Sequence, residues 1–172
     1  MSTTFWNFSL AVYGDAKVRD ECVALQDRFG LDVNLVLLCA FIGATHGASL
    51  TRNDIVSARE RVREWQEDVV GTLRGARRRL KTFEADQDVG LAKAARDLRA
   101  QILAAELESE RIEQQILEQW ATLQIAGRAA GNARDAVAAN LAALFGAYEL
   151  GPERLTAASA TPHLVAAALR QI

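Results

Sequence analysis

No proline interrupts the first 151 residues of this chain; its two prolines are Pro152 and Pro162. Proline deletes a backbone donor and clashes with the preceding turn, so a stretch this long without one leaves helices free to run. Apolar residues then recur on three- and four-residue steps, the spacing of one helix face. Together these features predict an all-α fold.

A chain of 172 residues is long enough for one domain with a real core. Half of it is apolar and 24% charged, the balance of a globular protein. The net charge is −2 and the pI about 5.7, so a nucleic-acid role would need a local basic patch. Cys22 and Cys39 both fall in apolar helical context, which suggests buried thiols and a reducing compartment. Residues 1–4 show no basic leader. The apolar run 33–44 is too short to cross a bilayer and contains Asn34. The expectation is a cytoplasmic protein with no membrane span.

The segment Trp6–Tyr13 is dense in aromatic residues, and its rings need burial, either as a lid over a helical core or as a ligand wall. Asp15 fits the N-cap of a following helix, with Val18, Cys22, Leu25 and Phe29 as its stripe and Gly30 just past its end. Asp32 caps a second helix, in which nearly every position from Val33 to Ala44 is apolar. Asn34 shares a face with Leu38 and Phe41, and Cys39 shares one with His46. Two such ligands do not make a metal site, and no metal or cofactor is expected.

Thr51 and Asp54 have the spacing of a capping box. A heptad-like seam then runs through Ile55, Ala58, Val62, Trp65, Val69, Ala76, Leu80 and Phe83, broken at Thr72. After a turn over 85–90 a second seam follows, through Leu91, Ala95, Leu98, Ile102, Ala105, Ser109, Ile112, Ile116, Trp120 and Leu123. Two long helices joined by a short turn should lie antiparallel. Beyond a glycine-containing break at 126–132 comes a helix with Val137, Leu141 and Phe145, closed by Gly151 and Pro152. Thr161 and Pro162 read as N-cap and N1 of a last short helix.

Charge is uneven along the hairpin. A turn centred near 87 would set Arg59, Arg61 and Arg63 against Glu106, Glu108, Glu110 and Glu113. At the turn end Arg74, Arg77, Arg78, Arg79, Lys81, Lys93, Arg96 and Arg99 stand against only Glu84, Asp86, Asp88 and Asp97. That local excess of cations reads either as a solvated face or as a docking surface for an anionic partner, an acidic protein or RNA. No interleaved aromatics suit base stacking there, so RNA contact would be to the backbone. Phosphate loops, dinucleotide fingerprints, C-x-x-C, H-E-x-x-H and G-x-S-x-G motifs are absent from the sequence.

W-N-F-S-L-A-V-Y (Trp6–Tyr13) and L-Q-D-R-F-G-L-D-V-N-L-V-L-L-C-A-F-I-G (Leu25–Gly43) resemble a conserved hypothetical family of proteobacterial proteins, a domain of unknown function. Cys22, Leu25, Gln26, Gly30, Asp32, Val33, Asn34 and Leu35 match its pattern, whereas Val36 replaces a leucine and Phe41 a tryptophan. The resemblance covers about residues 6–47 and is weak over the hairpin. It implies a helical fold and no known activity, and it nominates Trp6, Asn7, Ser9, Gln26, Asp32 and Asn34 for test.

The sequence thus predicts a single all-α domain over 1–172. It comprises an aromatic segment and buried helix pair (1–50), a long antiparallel helical hairpin (51–125) and closing helices (131–172). The leading expectation is a non-enzymatic interaction or adaptor protein docking an unknown protein or RNA through the hairpin tip. The alternative is a small-ligand or lipid-binding module with a pocket lined by Trp6, Asn7, Phe8, Ser9, Tyr13, Gln26, Asp32, Asn34, Cys39 and His46. An enzyme of unknown type around Gln26, Asp32, Asn34 and His46 stands third. Homo-oligomerisation through the long helices is compatible with all three.

Overall fold

The computed structural model describes residues 4–150 and 161–172, and among them every regular element is helical. In chain order these are α1 (Phe5–Tyr13), α2 (Ala16–Phe29), α3 (Val33–His46) and α4 (Arg52–Glu64), then a π-helical segment (Trp65–Val70), α5 (Gly71–Leu80) and a 3₁₀ turn (Lys81–Phe83). Then come α6 (Val89–Gln124), α7 (Ala133–Ala147) and α8 (Pro162–Leu169). The chain packs as two compact units, one from the segments up to Arg61 and from Gln114 onward, the other from Val62–Glu113. The expected closing stop at Gly151 and Pro152 lies outside the described residues.

In the first unit α3 is the centre. Every residue from Asn34 to Ala44 is buried, as an all-round apolar helix requires. Asp32 caps it by accepting from the Asn34 N–H at 2.8 Å, and Gly47 ends it in the left-handed region (φ 60°). The expected caps at Asp15 and Thr51/Asp54 are also present. Asp15 accepts from Lys17 N–H at 3.0 Å, and Asp54 and Thr51 exchange bonds in both directions. Gly43 lets α7 come into backbone contact with α3 at Val137. Asn140 of α7, fully buried, accepts from Leu50 N–H at 2.6 Å and donates to the carbonyls of Cys39 and Ala48 at 3.1 and 3.0 Å. It thereby satisfies the backbone where the chain leaves α3.

Thr161 stands at the N-cap position of α8 but makes no capping bond. Glu21 of α2 does the capping, its two carboxylate oxygens accepting from the His163 and Leu164 N–H groups at 3.0 and 2.8 Å. A carboxylate at a helix N-terminus also meets the positive end of the helix dipole.

In the second unit α5 and the first part of α6 run antiparallel. Trp65 donates its indole N–H to the Ser109 carbonyl at 3.0 Å, Arg74 reaches Glu106 and Glu110, and Arg99 meets Glu84. Arg74, Arg77 and Arg111 also share carboxylates expected opposite Arg59, Arg61 and Arg63. Of the expected carboxylates, Glu106 and Glu110 meet Arg74 and Arg77, and Glu108 pairs with Arg111 on its own helix, while Arg63 lies 3.8 Å from Glu67 of the π-helical segment.

The seams differ too. On α6 the most buried positions are Ala92, Ala95, Glu106, Ser109 and Glu113, then Leu117 and Trp120, while Leu91 and Leu98 are 45% and 46% exposed. Half of the expected seam is therefore displaced by one residue. On the other arm the π-helical segment Trp65–Val70 adds a residue to its turn. It brings Val70 inward instead of Val69 and moves the later inward positions to Arg74 and Arg77, which accounts for the break at Thr72.

Candidate functional site

The N-terminal set forms packing rather than an open wall. The Phe5 and Phe8 rings are fully buried and lie 5.2 and 5.3 Å from the Phe41 ring, the first stacked and the second edge-on. Phe41 of α3 thus packs against two rings of α1. Trp6 and Tyr13 are half-buried, Asn7 is exposed, and Ser9 is buried. α1 is fixed at its start by Thr4, which caps Asn7 N–H, and by Glu118, which accepts from Phe5 N–H at 2.9 Å.

Asn34 accepts from the Gln114 side chain at 2.8 Å, so its amide is used in a buried side-chain pair. Asp32 is used as a cap, and its own N–H donates to the Tyr148 hydroxyl at 3.3 Å. Tyr148 carries Arg59 over its ring at 4.7 Å. Burial first, and then the Asp32 charge, push its phenol up to about 12. Gln26 is half-buried on α2. Cys39 is enclosed, whereas His46 is exposed at the end of α3, its ring edge-on to Phe41 at 5.6 Å. Both thiols are free, and burial raises both, Cys22 to about 12. Thiols held so far from thiolate are poor nucleophiles. Among the described residues no three His, Cys, Asp or Glu side chains gather as metal ligands would.

The basic end of the hairpin divides in two. Arg74 and Arg77 converge on Glu106, whose side chain is 5% exposed, and Arg74 also bonds Glu110 at 2.9 Å. Burial works against the Glu106 charge, but hydrogen bonds from Arg77 and Arg74 outweigh it and hold the carboxyl below its usual range. Arg99 pairs with Glu84 at 3.2 Å and Lys93 with Asp97 at 2.8 Å. Arg78, Arg79, Lys81 and Arg96 remain exposed and make no ion pair among the described residues. Arg79 lies 5.9 Å from the Phe83 ring, and Arg96 reaches only the Glu84 carbonyl, at 3.5 Å.

Next to these four cations Phe83, Val89 and Leu91 are 36%, 78% and 45% exposed. Arg77 left this set because Glu106 sits across from it, a contact set by tertiary register that no local spacing encodes. Asp88 caps α6 by accepting from the Gly90 and Leu91 N–H groups at 2.8 and 3.0 Å.

Fold and surface define an all-helical protein, among the described residues, with an apolar central helix in one unit and a charged helical hairpin in the other. A family model described as "Protein of unknown function (DUF2390)" matches residues 4–117, and the chain belongs to that family. No curated protein and no solved structure matches it. Among the described residues no helix is long and apolar enough to cross a membrane.

Proposed function

We propose that this chain is a non-enzymatic interaction module that docks an anionic protein partner through the tip of the 62–113 hairpin. The observation that carries this reading is the group Arg78, Arg79, Lys81 and Arg96, exposed and without ion pairs among the described residues. Four cations left unneutralised beside exposed Phe83, Val89 and Leu91 suit an acidic surface with apolar character. An RNA partner is less well served, because the one aromatic ring of the tip lies under Arg79. The two buried, free thiols favour a reducing compartment, the cytoplasm.

The test is affinity capture from lysate with the wild type and an Arg78→Glu, Arg79→Glu, Arg96→Glu variant, each with and without ribonuclease and over a salt series. The expected result is an acidic protein retained by the wild type, released by salt, indifferent to ribonuclease and lost by the variant. The same partners on both chains, or none on either, would overturn the reading. Loss on ribonuclease treatment would replace the protein partner by RNA.

A further inference from the structure

We infer that the partner of this hairpin is a second copy of the same chain, laid antiparallel across one apolar face of residues 62–113. The inference deepens the docking reading, because the acidic base of one copy supplies the anionic surface for the tip of the other. The apolar half of the argument stands on separate observations.

On α6 the residues turned toward the other arm include Ala92, Ala95, Glu106, Ser109 and Glu113. Leu91, Leu98 and Ala105 each come one residue before this heptad series, and all three are exposed. On the other arm Val70 is buried, and Arg74 and Arg77 reach across to Glu106. Leu73 precedes Arg74, and Leu80 and Phe83 continue its flank. The first two are half-buried and Phe83 is 36% exposed. In an antiparallel helix pair, positions one residue before the facing ones lie on the same side of both helices. The six apolar residues therefore share one face of the hairpin. Four of these six, Phe83, Leu91, Leu98 and Ala105, are exposed, whereas the seam between the arms carries arginine and glutamate.

Size and charge both point to a second copy. From Leu91 to Ile112 the helix rises roughly 32 Å, and two helices side by side span roughly 20 Å. The footprint is about 640 Å² in projection, close to the roughly 800 Å² of accessible surface that each partner of a standard interface buries. Residues 62–70 and 106–113 carry seven carboxylates and two arginines, whereas residues 71–105 carry eight cations and four carboxylates. A parallel copy would set basic tip on basic tip. An antiparallel copy sets each tip on an acidic base and closes a four-helix bundle with twofold symmetry. Asp68 and Arg79 lie three turns apart on the rim of this face, and the antiparallel copy brings Arg79 of one chain to Asp68 of the other.

The test is the solution mass of the full chain by sedimentation at low and moderate salt, in the wild type, Leu98→Glu, Arg79→Glu, and Arg79→Glu with Asp68→Arg. The expected wild-type mass is twice the 18.7 kDa of one chain. Leu98→Glu is expected to be a monomer with unchanged helical circular dichroism, because Leu98 is already 46% exposed. Arg79→Glu weakens the dimer at least tenfold, and adding Asp68→Arg restores it. A monomeric wild type overturns the second copy; if the tip variant of the preceding section then still loses an anionic protein, docking itself survives. A dimer that Leu98→Glu leaves intact overturns the face. One that ignores Arg79→Glu overturns both the antiparallel pairing and the docking role of the tip, leaving only the apolar contact.

Discussion

A β-carbon added at Gly43 would stand 2.5 Å from the Val137 backbone nitrogen and 2.6 Å from its Cα, so α7 would have to move away from α3. Gly43→Ala is expected to destabilise the protein by about 1–3 kcal/mol, the range for overpacking a core. Gly146→Ala is the control: nothing lies within 4 Å of its added carbon, and alanine should stabilise the helix by about 0.5–1 kcal/mol. Denaturant unfolding of the two variants checks the pair, and equal effects would refute the close approach at Gly43. The contrast also shows what is legible at this scale. Asp15, Asp32 and Thr51 with Asp54 could be read as caps because donor and acceptor lie within three residues of each other. Gly43, Asn140 and Glu21 act on residues 94, 90 or more, and 142 positions away, and no local spacing announces such a role.

At the scale of the element, helix type and direction were readable, but the phase of the hairpin was not. Rotational phase is inferred from apolar spacing, and here the inward positions of α6 include Glu106 and Glu113 while Leu91 and Leu98 face out. Apolar spacing therefore selects a neighbouring flank. The π-helical segment compounds the error, since one residue added to a turn shifts every later position. The Arg74–Glu106–Arg77 cluster then specifies register more than it stabilises, because desolvation offsets much of its attraction. Glu106→Gln is expected to cost about 2 kcal/mol by leaving two arginines without their shared carboxylate. Replacing Arg74, Arg77 and Glu106 together by leucine is expected to leave stability unchanged or raise it, at the expense of a unique pairing. Thermal unfolding followed by circular dichroism separates these outcomes. A triple variant much less stable than Glu106→Gln would show that the ions carry the hairpin.

For the whole molecule the same groups set the pH range over which the fold is stable. Asp54, Asp97, Glu106 and Glu108 are all held below the ordinary carboxylate range. Asp54 is the most strongly shifted, down to about 2, chiefly by its hydrogen bonds from Arg128, with Thr51 adding to them and burial opposing. A carboxyl that binds its proton less readily when folded contributes stability above its unfolded value, and that contribution is lost as pH falls through the folded one. For Asp54 the window runs from about 4 down to about 2, and the amount is about 2 kcal/mol. Cys22 and Tyr148 set the opposite limb. Burial raises both to about 12, so the unfolded chain releases these protons first and stability falls as pH rises above the thiol's ordinary value of 9.0. Stability measured by urea unfolding should therefore be flat with respect to these groups between about pH 5 and pH 8 and decline on both sides. Asp54→Asn should lower the plateau by about 2 kcal/mol and flatten the acid limb, so that the two curves meet near pH 2. Curves that stay parallel down to pH 2 would mean that the Asp54–Arg128 pair, although formed, does not distinguish the folded chain from the unfolded one.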